Sequence, residues 1–522
     1  MKTHARLAKA LDLAMKASCE QVVRGRDLPP AMRTFLIRQG CLLEIMKGWY
    51  FLIPPDAPKG ETALWHANFW SFLGLYLEDR GPYCLSPEVS LDLLSGETAT
   101  PVQVTAILES GGNNVTTLRF ADTGITTSLL TYKARLPANP VVLRGLRLMP
   151  PGYALARVTP TYFQTNRAQA EVLLRTTPPA ELASGILEVD TEAGSERILG
   201  GLEAIGLTAA ADQVRGLISL TGWKRAVNPF PDKTPLIPVT VPIVSPHADR
   251  IRLLWQQMRG SVLEHFPATG KISAPSAWFE RAKELYAYDA YHSLSIEGFQ
   301  VTPELIARIA AGGEPDEKSE REENNRLAAK GYSLAHASVM ESIRRIFDGQ
   351  PSAEVVSRDL AYWYSELHRP FVQVGRMTAA DLSGYRERPV FLRGSRHVPP
   401  HHGRAIMDSM EAFYAALREE PSAAVRAVLG HFVFVFIHPF PDGNGRIARF
   451  LMNAMLASGD YPWTILRVGR RSQYMESLES ASVNRDISPF TKFVAEEMAL
   501  TWSAEIAEAE RKTRNSEVST TA

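Results

Sequence analysis

A proline-rich stretch divides the chain into two parts with different sequence patterns. It reads VNPFPDKTPLIPVTVPIVSP and covers residues 227 to 246. Prolines at this density stop helices and do not suit interior strands, so we expect a linker at residues 226 to 248. The residues before it mix helical and strand patterns, whereas those after it repeat apolar residues at helical spacing. Since 522 residues are enough for two to four domains, we expect at least one on each side.

The part after the linker, residues 249 to 512, predicts an all-α domain. Apolar residues recur three and four positions apart in successive segments as far as about residue 510. RERPVFLRGSRHVPPHH, residues 386 to 402, interrupts this pattern. Its Val390, Phe391 and Leu392 precede a glycine-containing turn, which predicts a β-hairpin. The last ten residues, 513 to 522, are expected to form a disordered tail.

The part before the linker predicts a winged-helix-like domain at residues 1 to 56. Two short helices precede LLEIMKGWYFL, a hairpin-like segment, and this is the element order of a winged helix. Basic residues outnumber acidic ones here, which favours DNA as a partner, although a solvated helix face would explain the same charges.

Residues 57 to 225 predict an α/β domain. VQVTAIL (102 to 108), VTTLRF (115 to 120) and ALARVTPTYF (154 to 163) are predicted strands. Together with RTFLIRQGCLLEIMKGWYFL, this half of the chain resembles the AbiEi-type family of antitoxins and transcriptional regulators. That family joins a winged helix to an α/β region.

The stretch HPFPDGNGRIAR, residues 438 to 449, predicts an anion site. Gly443 and Gly445 allow backbone conformations closed to other residues, and Asn444 tolerates the left-handed region. A helix that begins near Arg446 presents unpaired N–H groups and the positive end of its dipole. Arg446 and Arg449 are three residues apart, so both add positive charge on one face of that helix. This combination suits phosphate.

Two further side chains of the stretch suit phosphate chemistry. Asp442 offers the hard oxygen ligand that Mg²⁺ uses when it bridges phosphates, and His438 alone titrates near neutrality, as a general base must. A DGNG sequence alone is more often a hairpin turn. An EF-hand fails because Arg446 and Asn453 occupy ligand positions, and a Walker loop fails because GK[ST] is absent.

The same stretch resembles the Fic family signature HxFx[DE]GNGRxxR at every specified position. The resemblance extends from about Leu285 to Glu497 and includes VFLRGSRHVPP, which is similar to the family's flap hairpin. Members have an all-helical fold, and most transfer AMP from ATP to a Ser, Thr or Tyr hydroxyl of a protein. The resemblance implies that His438 is the base and that Asp442 holds Mg²⁺. It also implies a flap, Val390 to Leu392, that pairs with the target, and these nucleotide-binding residues: Gly443, Asn444, Gly445, Arg446, Arg449 and Tyr474.

A second stretch, YHSLSIEGFQ, resembles the family's inhibitory motif [ST]xxxE[GN] through Ser293, Glu297 and Gly298. An inhibitory helix near residues 285 to 298 would deliver Glu297 to Arg449 in a charge-assisted pair. Glu297 would then occupy the place where a γ-phosphate needs that arginine. A helix end before a glycine is the simpler explanation of the pattern.

These features predict a protein adenylyltransferase that uses ATP and Mg²⁺, acts on a hydroxyl-bearing protein and is inhibited by Glu297. Two alternatives stay open: removal of AMP or another phosphate transfer by the same site, and a DNA-binding regulator that senses nucleotide. The specificity for the nucleobase also stays open between ATP and other nucleotides, because Ser482 stands where the family often has Asn. The target protein and the oligomeric state, including a homodimer, are not determined by the sequence.

Cysteines and apolar runs favour a cytoplasmic protein. Cys19, Cys41 and Cys84 lack CxxC spacing, which disfavours a zinc site or a disulfide framework. Charged residues interrupt the first twenty residues, so no signal peptide is expected. The apolar run FVFVFI is too short to span a bilayer, and we expect no membrane partner. Lys+Arg and Asp+Glu balance at 57 each, so net charge favours no partner.

Overall fold

The chain forms two compact units in the computed structural model. Unit 1 comprises Met1–Arg250 and Val390–Val398, and unit 2 comprises Ile251–Pro389 and Pro399–Ala522. The structure describes residues 2–53, 62–97, 99–110, 112–119, 126–231, 236, 245–268, 274–313, 320–401 and 403–502. The expected tail and much of the expected linker lie outside these residues, and the finer domain division stays a prediction.

Unit 1 begins with helices and a small antiparallel sheet of order β1-β3-β2. The elements are α1 (Lys2–Ala17), β1 (Val22–Arg24), α2 (Pro30–Arg38), β2 (Leu42–Met46) and β3 (Trp49–Leu52). The expected helices and hairpin are therefore present, with the hairpin turning at Gly48, whose φ is +85°. Arg24 and Arg26 are paired with Asp79, at 3.1 and 2.9 Å, which reduces the basic excess at the surface. A winged helix and DNA binding stay predictions.

A four-stranded mixed sheet follows, in the order β4-β5-β7-β6, with a separate two-stranded ribbon, β8-β9. The elements are α3 (Thr62–Glu78), β4 (Tyr83–Leu85), α4 (Pro87–Leu94), β5 (Gln103–Leu108), β6 (Asn114–Arg119), β7 (Thr126–Lys133), β8 (Val141–Leu143) and β9 (Leu146–Leu148). β5 and β7 are parallel, and the other neighbours in this sheet are antiparallel. Buried Trp65, Phe69 and Phe72 of α3 share a core with these strands. The strands predicted at residues 102–108 and 115–120 are confirmed as β5 and β6, with Phe120 outside the described residues.

Six helices complete the described part of unit 1 before the linker. They are α5 (Pro151–Arg157), α6 (Pro160–Thr165), α7 (Arg167–Thr176), α8 (Pro179–Val189), α9 (Glu192–Ala204) and α10 (Thr208–Leu217). The strand predicted at residues 154–163 is therefore wrong. Pro151 and Pro160 each stand in the first turn of a helix, where proline is favoured, and Tyr153 to Ala156 are all buried. Burial on every side removed the helical period that would have identified α5.

Residues 386–401 contain no regular strand, so the expected flap hairpin is not confirmed. Val390, Phe391 and Leu392 form no regular secondary structure and precede a turn at residues 393 and 394. Within unit 1, His397 forms an isolated antiparallel bridge with Ala99. The guanidinium of Arg396 donates to the Thr100 carbonyl at 2.6 and 3.1 Å.

Unit 2 is helical, as expected from its sequence pattern. Its helices are α11 (Pro246–His265, which begins in unit 1), α12 (Pro275–Ile296), α13 (Pro303–Ala310), α14 (Glu320–Phe347), α15 (Ser352–Gln373), α16 (Gly403–Glu419), α17 (Ala423–Ile437), α18 (Asn444–Ala457) and α19 (Arg471–Glu479). Residues 488–502 are also helical. α12 begins ten residues before the expected inhibitory segment. No helix in the described ranges is long and apolar enough to cross a membrane.

The centre of unit 2 is built from tightly packed helix pairs, α14 with α15 and α17 with α18. α17 and α18 are buried along most of their lengths, so their ends are held at fixed positions. Gly331 permits the first pairing, because a Cβ added there would lie 2.0 Å from the Leu367 carbonyl oxygen.

We expect Gly331→Ala to lower the free energy of unfolding by about 1–3 kcal/mol, because backbone of α15 must move to accommodate the methyl group. Thermal or denaturant unfolding of the full chain measures this. Gly260→Ala is the matched control, since a Cβ there meets nothing within 4 Å. It should leave stability unchanged or raise it by about 0.5–1 kcal/mol. Equal effects of the two changes would contradict this account of the packing.

Candidate functional site

The site begins where α17 ends. His438 is the residue after Ile437 and has left-handed backbone angles, φ 52° and ψ 59°. Its N–H donates to the Phe434 carbonyl at 2.9 Å, which closes the last turn of the helix. A left-handed conformation costs a non-glycine residue about 1–2 kcal/mol, so the surroundings must hold it in place.

The loop from residue 438 to residue 444 is fixed by two contacts with its own ends and with α15. The Asn444 side chain accepts from the Phe440 N–H at 3.0 Å and donates to the Phe440 carbonyl at 2.8 Å. The Phe440 ring stacks on Tyr364 with centroids 3.9 Å apart and planes 4° apart. Gly443 has φ +80°, and a Cβ there would lie 2.8 Å from the His368 ring. Glycine is therefore required at this position for two reasons.

The start of α18 gathers hydrogen-bond donors that have no acceptor among the residues the structure describes. The first N–H groups of a helix have no partner within it. Arg446 is 1% exposed, and its Nε and Nη1 are buried without a hydrogen-bond partner. Arg449, 3% exposed, likewise has a buried Nη1 without a partner. Buried donors are rarely left unpaired, so this end of α18 is suited to an anion with several oxygens.

Asp442 lies at the mouth of this donor cluster. Its Oδ2 accepts from Arg446 Nη2 at 2.9 Å and lies 3.6 Å from His368 Nε2. Loss of water around the loop raises the pKa of Asp442, but the His368 ring and the Arg446 charge outweigh this and hold the pKa below its usual range. The carboxylate is therefore ionised at neutral pH. No group of three or more His, Cys, Asp or Glu side chains that could hold a metal occurs in the described residues. Any metal here must take most of its ligands from a bound molecule or water.

The C-terminus of α12 delivers Glu297 into the same cluster. Arg449 Nη2 donates to Glu297 Oε1 at 2.6 Å, while Arg449 Nε donates to the Ser293 hydroxyl at 2.8 Å. Gly298, with φ +91°, ends the helix so that Glu297 projects over α18. A Cβ added at Gly445 would lie 2.4 Å from Glu297 Oε1, which places the carboxylate directly above the first turn of α18.

Arg386 contacts the backbone of His438 and of the residue after it. Its Nε donates to the His438 carbonyl at 2.7 Å, and its own N–H donates to the Pro439 carbonyl at 2.9 Å. Burial lowers the pKa of His438 from 6.5 to about 4, and the Arg386 charge acts in the same direction. The imidazole is therefore neutral at physiological pH and able to accept a proton.

Tyr474 is buried rather than open to a ligand. It is 2% exposed, its hydroxyl lies 2.8 Å from His431 Nε2, and its ring packs near Phe490 and Phe493. Ser482, 6% exposed, lies in a π-helical turn at residues 480–484. Contacts of Tyr474 and Ser482 with the nucleobase of a bound nucleotide stay a prediction.

The structure thus brings together His438, Asp442, the glycine loop, both arginines and the Ser293–Glu297 segment. It does not form the flap strand expected at Val390 to Leu392. Sequence reasoning missed Arg386, His368 and Tyr364, which support the loop from elsewhere in the chain. These three residues have no local sequence signal for this role, because their partners in the loop are distant in sequence.

We expect the His438 ring to titrate near pH 4 rather than near 6.5. Because folding favours the neutral form, this residue contributes stability that is present above pH 6.5 and is lost as the pH falls toward 4. NMR of the histidine ring signals against pH measures the midpoint, with His438→Gln to assign the signal. A midpoint at or above 6.5 would contradict the burial of this ring.

Comparisons with known proteins agree on one family. Residues 358–456 match the model of the Fic/DOC family. A protein adenylyltransferase Fic of Drosophila mojavensis is 33% identical over 261 residues, which are 48% of this chain and 47% of that protein. One of Nematostella vectensis is 32% identical over 257 residues, 47% of this chain and 55% of that protein.

The chain spans about half the length of the curated relatives it matches. Among solved structures, a fragment of C. elegans Fic-1 is 18% identical, covers 69% of this chain and 98% of its own length, and has a TM-score of 0.38. The family match covers α17, the loop and all of α18 except Ala457, so the residues of the candidate site from His438 to Arg449 lie within the matched region.

Proposed function

We propose that the chain is a protein adenylyltransferase, which transfers AMP from ATP to a Ser, Thr or Tyr hydroxyl of a target protein, and that Glu297 inhibits it. One observation carries the proposal: the buried, unpaired donors of Arg446 and Arg449 at the start of α18. Two guanidinium groups and a helix N-terminus match the several oxygens and the charge of a polyphosphate. The relatives named protein adenylyltransferase Fic support ATP as the source of the phosphate.

His438 supplies the base. Its Nδ1 is buried without a hydrogen-bond partner among the described residues, so we assign the transfer of the hydroxyl proton to Nε2. The ring is neutral above about pH 5, because burial lowers its pKa to about 4. A base with this pKa is weak, and its contribution comes from its fixed position beside the attacking oxygen more than from its strength.

The proposed reaction is a direct transfer of AMP from ATP to the target hydroxyl. The target hydroxyl oxygen forms a bond to the α-phosphorus while the bond from that phosphorus to the β-phosphate oxygen breaks. The hydroxyl proton goes to His438, and pyrophosphate leaves. Arg446 and Arg449 hold the phosphate oxygens throughout, so catalysis depends on positioning and charge neutralisation.

Asp442 fits a magnesium ion that arrives with ATP. Its carboxylate is ionised and faces solvent beside the phosphate donors, and a single carboxylate with phosphate and water oxygens is the ligand set that Mg²⁺ commonly uses. The ion would neutralise charge on the phosphates of ATP. Asp442 would exchange part of its contact with Arg446 for the ion, which would leave Arg446 to the nucleotide.

Glu297 competes with the nucleotide for Arg449. Its carboxylate takes Nη2 of Arg449 at 2.6 Å and lies above Gly445. A γ-phosphate that used the same guanidinium would meet both the occupied donor and a like charge. ATP can then bind only in a pose that leaves Arg449 with Glu297, and its α-phosphorus is not aligned for attack.

We expect Glu297→Gly to raise AMP transfer at least about tenfold, because it removes a charge-assisted hydrogen bond that holds Arg449. Glu297→Gln should have an intermediate effect, since it keeps the shape and loses the charge. Transfer of labelled AMP from ATP with Mg²⁺ to protein measures this, in purified protein and in cell extract.

Two controls define the result. His438→Ala in the Glu297→Gly protein should abolish transfer, and Glu304→Gln, an exposed acid in the first turn of α13, should match the unchanged protein. If the unchanged protein and Glu297→Gly transfer AMP equally, Glu297 does not inhibit. If neither transfers AMP to any protein, the proposed activity is wrong.

We expect Asp442→Asn to raise the Mg²⁺ concentration required for half-maximal transfer about tenfold or more, because an amide is a weaker ligand than a carboxylate. ATP binding without Mg²⁺ should change little by comparison, and calorimetry separates the two. Asp460→Asn is the control, since Asp460 has φ 60° beyond the end of α18 and asparagine tolerates that conformation. An unchanged Mg²⁺ requirement in Asp442→Asn would exclude Asp442 as the ligand.

A further inference from the structure

Arg386 is a buried arginine whose side-chain hydrogen bonds all go to backbone carbonyls. It is 4% exposed. Its Nε reaches the His438 carbonyl at 2.7 Å, its Nη1 the Arg388 carbonyl at 2.9 Å, and its Nη2 the Pro400 carbonyl at 2.7 Å. A longer contact, 3.4 Å, joins Nη2 to the Ile437 carbonyl. Among the described residues no carboxylate pairs with it.

A buried charge without a counter-charge needs a strong local reason. Burial lowers the pKa of Arg386 to about 10, so the group remains a cation at neutral pH. The carbonyls of Ile437 and His438 stand at the C-terminus of α17, where unpaired carbonyls carry the negative end of the helix dipole. Arg386 therefore caps α17 with its guanidinium.

The capped end of α17 also has an unfavourable backbone conformation. His438 holds left-handed angles, which a residue with a side chain adopts only when its neighbours impose them. Arg386 donates two hydrogen bonds to the peptide groups that follow His438. Its side chain donates to the His438 carbonyl and its N–H donates to the Pro439 carbonyl. A change in those peptides would rotate the imidazole directly, because the ring is attached to the same residue.

The other two carbonyls bound by Arg386 are those of Arg388 and Pro400, which like His438 belong to unit 2. The same planar guanidinium thus bonds to the peptide that carries the proposed base and to two further backbone positions of that unit. A lysine has a single nitrogen and cannot reproduce this fork.

We propose that Arg386 is the positioning residue of this site: it fixes the backbone of His438 relative to residues 388 and 400, so that the imidazole keeps the orientation that proton transfer requires. This inference rests on the proposed adenylyl transfer for its kinetic consequence, but its structural consequence can be measured without activity.

The kinetic test uses the Glu297→Gly protein as parent. Arg386→Lys keeps the charge and loses the fork, and Arg386→Gln keeps a planar donor and loses the charge. Both should lower kcat by about 10–100-fold, the effect of a misplaced catalytic group, with KM for ATP and ATP affinity within about twofold of the parent. Arg426→Lys is the matched control, because Arg426 also donates to backbone carbonyls, those of Glu420 and Pro421, near the start of α17. It should keep kcat within about twofold.

The structural test uses crystal structures of the same variants in the otherwise unchanged protein. In Arg386→Lys we expect residue 438 to leave the left-handed region or its ring to turn from the α18 end of the site, whereas in Arg426→Lys residue 438 should not move. If the Glu297→Gly parent transfers no AMP, the proposed function fails, and this structural comparison still decides the role of Arg386.

Three results would overturn the positioning role. The first is an Arg386→Lys protein with parental kcat and an unmoved His438. The second is a loss of ATP affinity in parallel with kcat. The third is failure of both Arg386 variants to fold while Arg426→Lys folds, since Arg386 would then serve stability alone.

Discussion

The contact between Arg449 and the end of α12 determines what this site can bind. Arg449 is buried, gives Nε to the Ser293 hydroxyl and gives Nη2 to Glu297, and keeps Nη1 without a partner. A buried guanidinium that is only partly satisfied has a strong preference for a further anion. Glu297 satisfies part of that preference from within the chain, so a nucleotide must either displace it or bind beside it. In the proposed function, inhibition by Glu297 and affinity for the nucleotide would both result from the positive charge of Arg449.

The rest of unit 2 holds the partners of this charge in place. α17 and α18 are buried along most of their lengths, so the loop between them presents His438 and the arginines from fixed helix ends. Arg471 Nε donates to the Ile296 carbonyl at 2.8 Å, and the Val468 N–H donates to His292 Nδ1 at 3.2 Å. These bonds tie the end of α12 to the segment that follows α18. Release of Glu297 therefore requires rotation of its side chain or movement of the end of a supported helix.

The sequence predicted those features that depend on local rules. The glycines, asparagine and arginines of HPFPDGNGRIAR predict a loop before a helix, and two segments rich in strand-forming residues predict β5 and β6, because each signal lies within a few residues. ALARVTPTYF predicts a strand although it forms parts of two short helices. Short helices that are buried on all sides do not show apolar residues at helical spacing. Arg386 gave no signal because its role depends on His438, which is 52 residues away in sequence. The apolar residues 390 to 392 before a glycine-containing turn predict a strand, but strand pairing depends on a partner that local sequence does not show.

The most direct test of the account is the position of a bound ATP analogue relative to Arg449, with and without Glu297. Crystal structures of the unchanged protein and of Glu297→Gly, each with a non-hydrolysable ATP analogue and Mg²⁺, provide that position. We expect a γ-phosphate within hydrogen-bonding distance of Arg449 only in Glu297→Gly, with the α-phosphorus then facing His438. The same triphosphate pose in both proteins, or a γ-phosphate remote from Arg449 in both, would contradict it.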